Sequence, residues 1–566
     1  MDKIEARILL KNLLARLEPM ESGGYAIQSK VTADEYTALG IAVEMLGGPH
    51  TPLIESKSTD IEPSPADKSV IDDHILKIDT SVMRLPSAPE NVRICLDFGT
   101  ALSKATLVLD GESDFDDESI TVLYLGEYGD YKEDYKLISA VYIDDEGKLW
   151  FGDKAAEFCE RDNVDGSRQV MDNIKHWLSL GQVDSEVDQV FNPTDISITY
   201  AEIILAYLTF FTWTANKALE GLKSPDGYPR NINRRFALPC LPNSDFREVK
   251  HRMRKYLGEA QVLSDTFGSD LRNGLPLQRF VDAVKLLRDG GFHDYRFVKE
   301  ELTEPLGVAG SLLSYSSDNE HDMIVMVIDV GAGTSDFSVY RIKVDLEKGV
   351  RKAWEAVGSV GNVTEAGNHL DGVLMGLILK SCGIDPEQGI PSLVQWKLQR
   401  NIREFKEEIF EKGLIEISLP EGYETSITLD QFLQTLGVKN FKNALDRKMI
   451  DILESIDGNW VNLIGPSKKI RYLTVALTGG GASLPMVREL ADRQVTIRGK
   501  QIKVVPAKPV PTWLEEAHSE LELDYPSIAV SLGGARKKLI RQAGTVSSIG
   551  GEASTQFVYD DPKYQW

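Results

Sequence analysis

The stretch Val327-Ile328-Asp329-Val330-Gly331-Ala332-Gly333-Thr334-Ser335-Asp336 decides how the chain is read. It closes the longest apolar run, which begins at Met323 and is of strand length, and it is followed at once by a second strand pattern, Phe337-Ser338-Val339-Tyr340. Between the two expected strands lie two glycines and two hydroxyl residues, flanked by two carboxylates. An Asp at the end of a buried strand, aimed into a loop, is seldom there for the core. Backbone N–H groups and hydroxyls in such a turn can cradle phosphate oxygens, and the carboxylates can hold the waters of a hydrated divalent cation.

Two other segments repeat that design. Upstream, Ile94-Cys95-Leu96-Asp97-Phe98-Gly99-Thr100-Ala101-Leu102-Ser103-Lys104 places Asp97 at a strand end. Gly99 then permits a sharp turn, Thr100 and Ser103 offer hydroxyls, and Lys104 adds a positive charge. Downstream, the strand pattern Leu473 to Leu477 runs into Thr478-Gly479-Gly480-Gly481-Ala482-Ser483-Leu484-Pro485 and then a helix from about Met486 to Arg493. Three glycines before a helix N-terminus let a flat ring or a phosphate approach the backbone closely. Each loop alone is an ordinary turn. The set, in this order and at domain-sized separations, is specific.

Over roughly Val92 to Arg541 the set resembles the phosphate-1, phosphate-2 and adenosine motifs of the actin and heat-shock-70 chaperone superfamily. Connecting segments are similar to the chaperone branch: Phe151 to Ala156 with Ile174-Lys175-His176-Trp177-Leu178, Arg235 to Pro239 before a helix from Asp245 to Leu257, Glu304-Pro305, and Tyr525 to Ala535. The resemblance implies an α/β, two-lobed actin-like ATPase fold built of duplicated ribonuclease-H-like domains. It implies ATP or ADP and Mg²⁺ in the cleft, with Asp97 and Asp329 holding the metal through waters. Phosphates would meet Gly99, Thr100, Ser103, Lys104, Gly331, Ala332, Gly333 and Thr334, and the adenosine would meet Gly479, Gly480, Gly481 and Lys406. Asp97, Glu304, Asp329 and Asp336 are the implied catalytic residues, with Asp336 or Glu304 orienting water.

The departures from the family pattern are informative. In the chaperones the Gly-Asp-x-Ala segment ends in a catalytic Lys, whose place in a straight register falls to Ala156; Lys154 stands two residues earlier. Lys104 occupies the place of actin's phosphate-binding Lys. Arg403 stands where the chaperones keep a Glu in the adenosine-contacting helix. The chain ends soon after the ATPase-like region, so peptide clamping of the usual kind is not expected.

Strand and helix patterns alternate from Val92 onward, as α/β layers require. The expected organisation is a small helical extension over 1–50, a Pro- and Ser-rich linker over 51–91 with an extended strap on the main body as its alternative, lobe I over 92–310, lobe II over 311–545 with a closing helix at about 526–541, and a loose tail over 546–566. The 566 residues are 42% hydrophobic and carry a formal net charge of -24, which disfavours nucleic acid as a partner. No run has membrane-span length and no signal pattern opens the chain, so a cytoplasmic location is expected. The four cysteines are scattered, which suggests neither a zinc site nor a disulfide framework. The resemblance implies a nucleotide-driven switch acting on an unidentified protein partner, recognised through the N-terminal extension or lobe insertions. The alternatives are an actin-like filament protein that assembles with nucleotide and, third, a small-molecule kinase.

Overall fold

The computed structural model describes residues 17–19, 25–27 and 76–537, except for short stretches at 112–117, 127–133, 164–166, 176, 179–182, 223–226, 241–242, 292–293, 314–320 and 346–349. The chain divides into two compact units, Met1–His74 and Ile75–Trp566. In the first, Leu17–Pro19 pairs antiparallel with Tyr25–Ile27. Leu17, within the expected helical extension, is therefore in a strand, and Pro19 beside it cannot continue a helix. The rest of the expected helical extension lies outside the described residues.

The larger unit is organised by two mixed sheets. The first contains β1 (Val92–Asp97), β2 (Leu102–Leu109), β3 (Ser119–Val122), β4 (Asn233–Leu238) and β5 (Val298–Thr303), ordered β5-β4-β1-β2-β3. The second contains β6 (His321–Val330), β7 (Ser335–Asp345), β8 (Val350–Glu355), β9 (Leu473–Thr478), β10 (Arg493–Ile497) and β11 (Lys500–Pro506), ordered β8-β7-β6-β9-β11-β10. One pattern of strand directions recurs in both. A central strand, β1 or β6, forms an antiparallel hairpin with the next strand on one side and pairs parallel with a later strand, β4 or β9, on the other. The Asp-containing loops of the sequence are the turns of those two hairpins.

Strand alternation distributes the central strands between cores. Ile94 and Leu96 of β1 face a core of the first sheet that includes the all-round buried helix α1 (Tyr200–Gly221), whose start is fixed by a capping box between Thr199 and Glu202. Ile324, Met326, Ile328 and Val330 of β6 face the core of the second sheet. The intervening residues, Cys95 on β1 and Val325 and Val327 on β6, meet in a third core shared by both sheets. Other helices used below are α2 (Asn243–Phe267), α3 (Glu304–Ser311), α4 (Gly367–Ser381), α5 (Ser392–Lys412), α6 (Leu436–Ser455), α7 (Pro485–Ala491) and α8 (Tyr525–Ala535).

The shared core is built around α3 and α8. A Cβ on Gly533 would fall on the carbonyl of Gly307, so the two helices cross at a distance only glycine permits. Hydroxyls seal the crossing: Thr106 with Ser531 at 2.8 Å, and Ser311 with Tyr525 at 2.7 Å. The closing helix thus lies against strands of the first sheet, although it follows the second in sequence, and it ends at Ala535; residues 538–541 of its expected span lie outside the described residues. Residues 76–91, at the end of the expected linker, pack as a strap. Val82 is buried, Asn231 Nδ2 donates to the Pro86 carbonyl at 2.7 Å, and Asn233 Nδ2 to that of Pro89 at 3.0 Å.

Candidate functional site

Strands β1, β6 and β9 deliver their C-terminal ends to one cavity of about 840 Å³. Its walls include Asp97, Gly99, Thr100 and Lys104 from the first hairpin and Asp329, Gly331, Ala332, Gly333 and Thr334 from the second. Gly479, Gly480 and Gly481 come from the loop before α7, Lys406 from α5 and Glu304 from the start of α3. The sequence-expected residues, spread over more than three hundred positions, therefore share one lining, with two exceptions. Ser103 is fully buried behind it, its hydroxyl 3.0 Å from that of Ser139. The correction is a matter of strand parity, since Leu102 and Lys104 face the cavity and Ser103 must face the other way. Asp336 stands behind Thr334, whose hydroxyl donates to its Oδ2 at 2.7 Å.

The loops are shaped as a cradle. Gly331 N–H closes its turn on the Thr334 carbonyl at 3.0 Å, and Gly481 N–H reaches the Val330 carbonyl at 2.9 Å, which locks the glycine loop to the second hairpin. Gly479 adopts φ +81°, and a Cβ there would fall on Asp329 Oδ1. A Cβ on Gly333 would come 3.0 Å from Thr100 Oγ1, so the two hairpins face each other closely across the cavity.

The electrostatics are those of a site short of positive charge. Asp97, Glu304, Asp329 and Asp336 are all buried. Burial pushes the Asp329 carboxyl well above the ordinary carboxylate range, and Glu304, Asp336 and Asp97 push it further. Burial and Glu304 raise Asp336 to about 7, against the pull of Thr334 and of the Cys240 N–H. Asp97 is raised by burial, with Lys104 (Nζ 3.8 Å from Oδ2) opposing. Lys175 is the second cation acting on these carboxyls. Burial alone would lower its pKa, but its ion pair with Glu304 and the charge of Asp97 raise it instead.

These carboxyls suit a hydrated divalent cation, which keeps several waters and needs one or two carboxylates plus ligand oxygens. Among the described residues no group of three or more His, Cys, Asp or Glu side chains could hold a metal directly. A stability prediction follows. An Asp whose folded-state pKa stands above its unfolded value keeps a proton the unfolded chain has lost, so its stabilisation is complete below about pH 4 and drains away as pH rises toward 7. The protein without added cation should therefore melt lower at pH 8 than at pH 5.5, and millimolar Mg²⁺ should shrink the difference. Differential scanning calorimetry in the two buffers checks this; a midpoint that rises with pH would mean the carboxyls are already neutralised by Lys104 and Lys175.

Sequence reasoning quoted Lys175 only as part of a family-like segment and gave it no role in the site; it assigned the phosphate charge to Lys104, which lines the cavity, and left Lys154 open. The Lys154 ammonium instead donates to the Arg272 carbonyl at 3.0 Å and lies 5.9 Å from the Trp150 ring centroid, away from the cavity. The available signal was a lone lysine beside fully buried Ile174. Also missed was Asp371 on α4, which lines the cavity and holds Lys406 Nζ at 2.7 Å; the same ammonium reaches the Gly367 carbonyl at 3.0 Å. Arg403 lines the cavity too and pairs with Asp172 at 3.2 Å; nearby in sequence, Asn368 Nδ2 donates to Asn173 Oδ1 at 2.8 Å and Arg400 pairs with Glu160.

Against known proteins, about a third of the chain is similar to HscA, a chaperone of the heat-shock-70 family. Identity is 28% over 190 residues with the chaperone protein HscA homolog of Pasteurella multocida (strain Pm70), covering 33% of this chain and 26% of that protein. It is 26% over 211 residues with the chaperone protein HscA of Cronobacter sakazakii (strain ATCC BAA-894), covering 37% and 29%. With the HscA homolog of Burkholderia ambifaria (strain MC40-6) it is 31% over 190 residues, covering 33% and 27%. The matched part of the chain thus spans under a third of the length of these relatives. No protein-family model matches the chain. Among the described residues no helix is long and apolar enough to cross a membrane.

Proposed function

We propose that the chain binds Mg²⁺-ATP in this cleft, hydrolyses it slowly, and uses the difference between the ATP and ADP states to act as a heat-shock-70-like conformational switch on a partner protein in the cytoplasm. The observation that carries the reading is the convergence of Asp97, Asp329 and the Lys175–Glu304 pair, contributed by both sheets, on one glycine-lined cavity. The repeated strand pattern supports two ribonuclease-H-like halves hinged at α3 and α8.

In this reading Lys104 and Lys175 meet phosphate charge from the first-sheet side and the Thr100 hydroxyl donates to a phosphate oxygen, while the single hydroxyl proton of Thr334 on the facing wall is taken by Asp336. Asp97 and Asp329 would hold the waters of a bound cation. When bound, Mg²⁺ supplies charge neutralisation at the phosphates. Glu304 keeps Lys175 aimed inward, and Asp336 holds Thr334 through its hydroxyl. The γ-phosphate favours closure only as far as it binds the closed arrangement better than the open one.

Sedimentation velocity in Mg²⁺-ATP and then Mg²⁺-ADP tests the proposal. A small particle whose frictional ratio changes between nucleotides is expected. Large species formed only with ATP would favour the actin-like filament reading, to which Lys104 beside Asp97 points. No response to either nucleotide would refute both.

A further inference from the structure

Asp336 is held by more than its own hairpin. The backbone N–H of Cys240, just beyond the end of β4 in the first sheet, donates to Asp336 Oδ1 at 2.9 Å. The carbonyl of the same residue accepts from Asn362 Nδ2 at 2.8 Å. Asn362 lies on the short strand Gly361–Val363, which pairs with β7 so that Asn362 stands directly opposite Asp336. Two side chains of the second sheet therefore grip both polar groups of one residue in the first, as a neighbouring strand would. The Cys240–Asp336 bond is buried and forms without competition from water, and the Asn362–Cys240 bond beside it is partly buried.

Each bond constrains the other. With Thr334 on Oδ2 and Cys240 on Oδ1, the Asp336 carboxylate has one orientation, and that orientation depends on where the Cys240 peptide sits. Asn362 fixes that peptide from its far side. Separating the sheets at this point would break both cross-sheet bonds together and release Asp336, and with it Thr334 on the cavity wall.

Resting on the ATPase reading above, we propose that Asn362 is a positioning residue that couples closure of the two halves to the alignment of Asp336 and Thr334. It touches no ligand; it acts through the Cys240 peptide. Loss of its amide donor should therefore cost turnover and not nucleotide affinity.

The test compares the full-length chain with Asn362→Ala, Asn362→Asp and Asn362→Gln. Mg²⁺-ATP affinity is read by titration with a fluorescent ATP analogue, single-turnover hydrolysis by quench, and compaction by small-angle scattering with ATP against ADP. Expected for Asn362→Ala and Asn362→Asp is a hydrolysis rate about tenfold lower per folded molecule, with affinity within about threefold and a smaller scattering difference between nucleotides. Asn362→Gln, which keeps the donor, should recover part of the rate. Unchanged single-turnover rates in both donor-less variants overturn the inference, as does a loss fully accounted for by a reduced folded fraction. Failure of the wild-type chain to bind Mg²⁺-ATP is a separate result and overturns the parent reading instead.

Discussion

Lys175→Ala is expected to slow ATP turnover by about 10²- to 10³-fold, while Lys154→Ala leaves it within about twofold. The two lysines differ in what surrounds them. Lys154 is on the helical segment Asp153–Asp162 and is satisfied by the Arg272 carbonyl, so removing it takes nothing from the cavity. Lys175 is buried, paired with Glu304 and close enough to Asp97 and Asp336 for their charges to raise its pKa. A cation held at that point needs no reorganisation when charge develops on a transferring phosphoryl group, and such preorganised charge is the largest contribution to most phosphoryl transfers. Its loss leaves Glu304 as an unpaired buried carboxylate beside Asp97 and Asp329. Lys175→Arg is the discriminating control. An arginine restores charge but not the compact geometry of the ammonium, so it should bind nucleotide nearly as well as wild type and recover little of the rate. Rapid-quench single turnovers on all three variants decide the matter, and a fast Lys175→Ala enzyme would move the phosphate-stabilising role to Lys104.

Why Lys175 escaped the sequence and Asp329 did not follows from how each signal is written in the chain. Asp97 and Asp329 announce themselves locally: a strand-length apolar run, an Asp at its end, then glycine and hydroxyl residues. Gly479 to Gly481 do the same. Lys175 is defined by its partner, and Glu304 is 129 positions away. No periodicity carries that distance. A family register was used in its place, and the register chose Ala156 although the side chain that fills the cavity arrives from a different segment. Ser103 failed for the opposite reason: its neighbours were read as a loop when Leu102–Leu109 is a strand, and parity alone then excludes it. The strap at 76–91 stood only as the alternative to a linker because its anchors are the backbone carbonyls of Pro86 and Pro89, which accept from the Asn231 and Asn233 amides, and side-chain hydropathy does not register such bonds. The elements that form the hairpins were legible because their burial on both faces demands continuous apolar runs.

Asp329→Ala is expected to abolish Mg²⁺-dependent ATP binding, weakening it by about 100-fold or more, and at the same time to raise the melting temperature of the nucleotide-free protein at pH 8. The two effects have one cause. The Asp329 carboxylate is held at a cost: burial and three neighbouring carboxyls, Glu304, Asp336 and Asp97, oppose its charge, and Lys104 is set against them. Without a cation, deleting it relieves repulsion among Asp97, Glu304 and Asp336. With a cation, deleting it removes one of the two groups that would hold the metal's waters. A residue kept only for the fold would show the reverse pattern, because truncating a buried, well-packed side chain costs stability and leaves ligand binding alone. Asp329→Asn separates charge from shape. It keeps the bulk that sits against Gly479 and should reproduce the loss of Mg²⁺ dependence along with the gain in apo stability. Isothermal titration with Mg²⁺-ATP and with ATP in EDTA, beside calorimetric melting of each variant, measures both halves. If Asp329→Ala bound Mg²⁺-ATP as tightly as wild type, Asp97 alone would have to hold the cation, and the cleft would be organised from the first hairpin and not from both. The opposing signs in stability and in binding are what make the residue's role readable.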